Sequence, residues 1–174
     1  FVNYNVPPTE AETYNPGGRL FGGDWFALCV WIIVYIEMFG STMTFQGWPF
    51  YKAGKVLHPI LLTLFVVVAG VVTWKWIMPG LFPDSTTFTW GAIGASIIGW
   101  QFMHSLAFDL YPFGRFKQPL RGVANLVLEL VCVVAWIALI RYVLGPPLLN
   151  HINSAFPEPA ADINTITAFI TLHA

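Results

Sequence analysis

Four long runs of apolar residues, separated by short polar segments, set the pattern of this sequence. They cover residues 25–45, 56–78, 88–108 and 120–144, and each contains few charged side chains. A helix needs about 20 apolar residues to cross the hydrocarbon core of a bilayer, and a chain in lipid must satisfy its own backbone hydrogen bonds. The pattern therefore predicts an all-α protein, a polytopic transmembrane helical bundle with about four complete spans.

Both ends of the chain differ from these runs. Residues 163–174 begin a fifth apolar run that stops at about half the length of a span. This predicts a truncated fifth helix after an extracytoplasmic loop, within a terminal segment 151–174. Residues 1–24 are polar and contain several Pro and Gly breakers, which predicts an extracytoplasmic or interfacial segment. We expect the chain to be part of a longer polypeptide or one subunit of a membrane assembly.

Two short segments between the runs share a motif, and we name them elbow 1 (residues 48–52) and elbow 2 (residues 111–115). Each has an aromatic residue, a proline, a phenylalanine and then a basic residue, between two apolar runs. The recurrence after roughly sixty residues predicts a duplicated helical hairpin, with units at 25–84 and 85–150. Each unit holds two helices, so the repeats are parallel. The matching residues are Trp48, Pro49, Phe50 and Lys52 in elbow 1, and Tyr111, Pro112, Phe113 and Arg115 in elbow 2.

The composition agrees with a membrane protein. The chain is 56% hydrophobic and 10% charged, whereas soluble domains carry about 25% charged residues. A net charge of −1 gives no reason to expect a nucleic-acid partner. The two cysteines, Cys29 and Cys132, lie inside apolar runs and are interpreted as small buried residues. The small residues Gly91, Gly94, Ala95 and Gly99 predict a helix-packing face on the third helix.

Positive charge predicts the orientation. Five of the eight Lys and Arg residues lie beside the elbows, namely Lys52, Lys55, Arg115, Lys117 and Arg121. Six acidic residues lie at the opposite end, namely Glu10, Glu12, Asp24, Asp84, Glu158 and Asp162. The positive-inside rule then places the elbows in the cytoplasm and the N-terminus outside, and we expect a bacterial cytoplasmic membrane. The elbows read either as interfacial anchors that contact anionic membrane lipids or as gating segments.

Two acidic residues lie at membrane depth. Glu37 and Glu129 are each eight or nine residues from the elbow end of their runs, about 12–14 Å into a core about 30 Å thick. Charged groups at this depth are costly and mark functional sites. Other polar residues extend the same faces, which predicts a midplane polar belt. They are Arg121 and Asn125 beside Glu129, Ser41 and Thr44 beside Glu37, and Gln101 with His104 on the third helix.

Three interpretations of this belt stay open. In the first, Glu37 and Glu129 carry protons in a transporter or channel-like assembly for a small solute, proton or cation. His104, Gln101 and Asn125 are their hydrogen-bonding partners, and Arg121 is the charge at the cytoplasmic mouth. In the second, the chain is a subunit of a redox or photosynthetic complex that binds haem, quinone or pigment. His58 and His104 would then be the ligands of a haem or metal, although no metal motif is present and the cofactor is unknown. In the third, the polar residues only hold helices together in a structural subunit. No nucleophile with an adjacent base is visible, so an enzyme is not expected.

Overall fold

The computed structural model describes residues 25–82, 88–155 and 161–173. Within these ranges the chain forms five helices and no strand, which confirms the all-α class for this part of the protein. They are α1 (Trp25–Phe39), α2 (Gly54–Leu81), α3 (residues 88–107), α4 (Leu120–Ser154) and α5 (Ile163–His173). The predicted N-terminal segment 1–24 lies outside the described residues. Of the six acidic residues assigned to the end opposite the elbows, only Asp162 lies within them.

Two helices of the described part, α2 and α4, are long and apolar enough to cross a membrane, with 28 and 35 residues. Only 17% of the most apolar stretch of α2 and 22% of that of α4 is buried. The core helix of a water-soluble protein would be mostly buried, so these exposed apolar faces favour a lipid environment. The 15 residues of α1 span about 22 Å, less than a hydrocarbon core.

The first helix ends at Phe39, six residues earlier than predicted. The chain then folds back on itself, and the Phe45 N–H donates to the carbonyl oxygen of Met38 at 2.8 Å. Gln46 and Gly47 follow with φ of 51° and 75°, a left-handed conformation that no helix continues through. Ser41 consequently leaves the predicted polar face and is exposed, so its place in that face was wrong.

The fourth helix continues beyond Leu144 to Ser154, although its predicted end was at Gly145, Pro146 and Pro147. A π-helical turn at Ile140–Leu144 precedes a new α-helical segment in which proline occupies the first turn. Proline is tolerated there because its missing N–H would have no helical partner. The same arrangement, a π-helical turn followed by Pro79, extends α2 to Leu81.

The helices α1 and α3 form the centre of the bundle. The first packs against α2 and α3, and α3 also packs against α4 and α5. Gly70 of α2 allows close approach to α1, because a Cβ atom there would lie 2.7–3.0 Å from atoms of Ile32. The predicted packing face on α3 is confirmed at Gly91, against Ala168 of α5, and at Gly94, against Val30 of α1. Gly99 faces no atom within 4 Å.

One cluster of buried apolar side chains lies in the half of the bundle away from the elbows, whereas Phe39, Phe45 and Leu110 are buried near the elbow end. The cluster consists of Ala27, Val30, Trp31, Val34, Trp74, Trp90, Ile97 and Val133. The buried polar residues of α3 and α4 that the sequence singled out lie on the elbow side of this cluster.

Candidate functional site: a buried polar network at the elbow end

The carboxyl group of Glu129 on α4 is the meeting point of three chain segments. Glu129 is only 2% exposed. The Thr44 hydroxyl, in the turns after α1, donates to both carboxyl oxygens at 2.9 and 3.2 Å. On the other side, Nδ1 of His104 from α3 lies 3.0 Å from Glu129 Oε1. The structure therefore brings together three residues of the predicted belt, Glu129, His104 and Thr44, and Thr44 contacts Glu129 rather than extending a face of α1 beside Glu37.

The second ring nitrogen of His104 defines the proton arrangement. His104 Nε2 lies 2.8 Å from the backbone carbonyl oxygen of Tyr111 in elbow 2. A carbonyl oxygen only accepts, so Nε2 carries a hydrogen and donates it. The contact between Nδ1 and Glu129 then needs one proton, held either by the imidazole, as an ion pair, or by the carboxyl group, as a neutral pair. The proton can thus pass between His104 Nδ1 and Glu129 Oε1, which lie 3.0 Å apart, without the loss of a hydrogen bond.

Thr44 is held in place because the segment after α1 docks on the start of α4. The Gln118 side chain donates to the Thr44 carbonyl oxygen at 3.2 Å, and its own amide oxygen accepts from the Gly122 N–H at 3.0 Å. The Phe45 ring stacks on Phe39, with centroids 4.8 Å apart, and covers Gly122. A Cβ atom at Gly122 would lie 2.3 Å from this ring, so the contact requires glycine.

Arg121 joins the two segments that connect the helices at this end. Its Nη2 donates to the Gln46 side-chain oxygen, and its Nη1 donates to the carbonyl oxygen of Gly114 at 3.4 Å. The sequence predicted Arg121 as a charge at the cytoplasmic mouth of the belt. The structure gives it partners on both sides, one just before elbow 1 and one within elbow 2.

Three other predicted residues are buried with unsatisfied polar atoms. Gln101 on α3 and Asn125 on α4 are both 0% exposed, and neither the nitrogen nor the oxygen of either amide has a hydrogen-bonding partner. Glu37 on α1 is 6% exposed, and its Oε2 has no partner. The structure records His104 and Thr44, and not Glu37, as hydrogen-bonding partners of Glu129. Buried polar atoms of this kind normally bond to protein or to water.

The two elbows have equivalent backbone hydrogen bonds. The Trp48 N–H donates to Phe45 and the Tyr111 N–H to Phe108, at 3.1 and 2.9 Å. Each elbow continues into a single 3₁₀ turn, Phe50–Lys52 and Phe113–Arg115. The basic residues Lys52 and Arg115 and the prolines Pro49 and Pro112 are exposed in both. Tyr111 is exposed, whereas Trp48 is half-buried.

His58 and His104 have different surroundings. The His58 ring lies against Gly47, where a Cβ atom would be 3.0 Å from Nε2, and this nitrogen is buried without a hydrogen-bonding partner. Both ring nitrogens of His104 already have partners, Glu129 and the Tyr111 carbonyl. In the described part of the chain, no group of three or more His, Cys, Asp or Glu side chains is placed to hold a metal ion.

No protein-family model matches this chain, and neither a curated protein nor a solved structure shows significant similarity to it. A fold does not by itself imply a function, which depends on the chemistry and geometry of the site.

Proposed function

We propose that this chain is an integral membrane protein within a larger transporter or channel-like assembly that moves a proton, a cation or a small solute. The Glu129–His104 pair is its proton-carrying group. The observation that supports this most strongly is the Nδ1 to Oε1 contact of 3.0 Å, with the opposite ring nitrogen held by the Tyr111 carbonyl. An intramembrane carboxyl group paired with histidine is a common component of proton relays.

The architecture in this proposal is a bundle of four spans built from a duplicated hairpin, with a further helix, α5. The equivalent hydrogen bonds and 3₁₀ turns of the two elbows support the duplication. The exposed basic residues of both elbows support an anchoring role at anionic lipid headgroups, with this end in the cytoplasm. Other membrane subunits or further helices would cover part of the exposed apolar surface.

Each residue of the belt has a chemical role in this proposal. Glu129 and His104 hold the mobile proton, and Thr44 stabilises the carboxylate by donating to it. Gln101 and Asn125 offer donors and acceptors on either side of the pair. Glu37 is a second protonatable group on α1, and its unpartnered Oε2 is open to a proton or a water molecule.

Replacing Glu129 with Gln tests the assignment. The Gln amide can still donate to His104 Nδ1 and accept from Thr44, so the hydrogen bonds survive while the mobile proton is lost. We expect proton flux, followed with an entrapped pH dye in proteoliposomes, to disappear in Glu129→Gln while thermal stability is retained. Asp109→Asn is the matched control, because Asp109 is exposed and has a φ of 48°, which Asn tolerates. Unchanged flux in Glu129→Gln would refute the assignment.

A structural subunit is the second candidate, and one observation favours it. Glu129 has partners at both carboxyl oxygens, as a residue that only joins helices would. This candidate predicts no flux in the wild type and none in Glu129→Gln, with equal stability. The redox or photosynthetic alternative depends on His58, whose Nε2 is buried without a partner, and predicts a haem or pigment absorption band in the purified protein.

A further inference from the structure

We propose that the Glu129–His104 pair exchanges protons through a hydrated path that opens only at the elbow end, and that an apolar layer closes the opposite side. The role of this path in transport rests on the proposed function. The side from which water reaches the pair is a separate property, and it can be measured without any proton flux. The occupant of the path is water, together with the protons that it conducts.

Two buried side-chain amides, those of Asn125 and Gln101, lie next to the Glu129–His104 pair. Asn125 lies one turn from Glu129 on the elbow side, and Gln101 lies one turn from His104 on the far side. Both are fully buried, and all four of their amide atoms lack a hydrogen-bonding partner. A buried amide without partners costs several kcal/mol in an apolar medium, so water is expected at both positions.

The second step is that polar groups continue from the pair to the elbow surface. Arg121, Asn125 and Glu129 are spaced four residues apart on α4, so they form one face about 12 Å long. Arg121 is partly exposed, and its buried Nε has no partner. Gln46 and Gln118, which contact this part of the site, are also partly exposed. Each turn of α4 from the elbow surface to Glu129 therefore offers water a polar side chain, beside the Phe45 ring that packs on Gly122.

The third step is that the same faces become apolar on the other side. One helical turn farther from the elbows, Val34 follows Glu37 on α1, Ile97 follows Gln101 on α3, and Val133 follows Glu129 on α4. These three aliphatic side chains are 1%, 7% and 3% exposed, and they belong to one packed cluster with Trp31 and Trp74. The indole N–H of Trp31 in this cluster has no hydrogen-bonding partner. The three aliphatic side chains themselves give water none, so the row of polar groups is interrupted at their level.

Thiol accessibility tests this sidedness. In a background with Cys29 and Cys132 replaced by Ser, Asn125→Cys and Val133→Cys place a thiol on the same face of α4, on opposite sides of Glu129. Silver ions are added to one side of sealed vesicles, and unreacted thiols are counted with a maleimide after denaturation. We expect Asn125→Cys to react from the elbow side at least about tenfold faster than Val133→Cys, a difference of about 1.4 kcal/mol in access.

A second pair on α3 gives an independent readout if one of these variants misfolds. Gln101→Cys should react from the elbow side, and Ile97→Cys, one turn farther away, should stay protected from both sides. Equal rates within both pairs, or faster reaction from the side away from the elbows, would overturn the inference.

The accessibility results and the flux results are separable. Loss of flux in Glu129→Gln together with equal thiol rates would leave the proposed function standing and remove the one-sided path. Sided thiol reactivity without any wild-type flux would retain the path and refute transport.

Discussion

Replacing Gly122 with Ala tests whether the docking of the segment after α1 on α4 holds the site together. A Cβ atom at Gly122 would lie 2.3, 2.5 and 2.8 Å from three atoms of the Phe45 ring, which is shorter than normal contact between carbon atoms. Phe45 is 5% exposed and stacks on Phe39, so the ring has little room to move. Its displacement would also move Thr44, the neighbouring residue that donates to Glu129.

The size of the effect follows from comparison with a glycine that faces open space. Gly99 on α3 has no atom within 4 Å of a built Cβ. Alanine favours the helix over glycine by up to about 1 kcal/mol at either position. Overpacking at Gly122 costs about 1–3 kcal/mol in addition. Because Gly122 lies in the first turn of α4, its helix-propensity gain is no larger than that of Gly99, so we expect the free energy of unfolding of Gly122→Ala to be at least about 1–3 kcal/mol below that of Gly99→Ala.

Reversible unfolding in mixed detergent micelles, followed by circular dichroism, measures this difference. Phe45→Ala removes the ring that collides with the new methyl group, so the cost of Gly122→Ala should be much smaller in the Phe45→Ala background. Equal stability of Gly122→Ala and Gly99→Ala, or no coupling between Gly122 and Phe45, would refute the docking geometry.

Two further predictions concern helix packing and the start of α5. Gly70→Ala should lower the free energy of unfolding by about 1–3 kcal/mol relative to Gly99→Ala, because the new methyl group would collide with backbone atoms of Ile32. Equal stability of the two variants would exclude this close approach of α2 to α1. At α5, the hydrogen bond from Thr165 lowers the pKa of Asp162 below its usual 3.8. Its stabilisation is therefore complete above that pH and lost as the pH falls through the lower folded pKa. The protection factors of the α5 amides, which correct for the intrinsic pH dependence of exchange, should fall there. The same pH dependence in Asp162→Asn would contradict this.

The helices could be predicted from the sequence because long apolar runs report directly on their environment. Their ends were less predictable. Where α1 ends at Phe39, the carbonyl oxygens of Met38 and Phe39 accept from the N–H groups of Phe45 and Gly47, because the chain folds back on itself. Proline at 146 did not end α4, because a π-helical turn precedes it. Both outcomes depend on backbone geometry that hydrophobic periodicity does not report.

The site could be predicted in its residue types and not in its pairing. Glu129 and His104 were singled out because polar groups at membrane depth are costly. Glu129 forms hydrogen bonds with Thr44 and His104, and this pairing depends on how the chain folds after α1 and at the end of α3. Gln118 and the contact between Phe45 and Gly122 were missed, because they exist only when the segment after α1 folds across α4. The nearest sequence signal was a glycine in the first turn of a long apolar helix.

The most direct test of the central claim is nitrogen NMR of the protein with isotopically labelled histidine, with the His104 signals assigned through His104→Gln. We predict that His104 Nε2 carries a hydrogen, because it donates to the Tyr111 carbonyl. We also predict that His104 Nδ1 shares a proton with Glu129 in the wild type and is a plain acceptor in Glu129→Gln. An unprotonated Nε2, or the same Nδ1 signal in the wild type and in Glu129→Gln, would contradict these predictions.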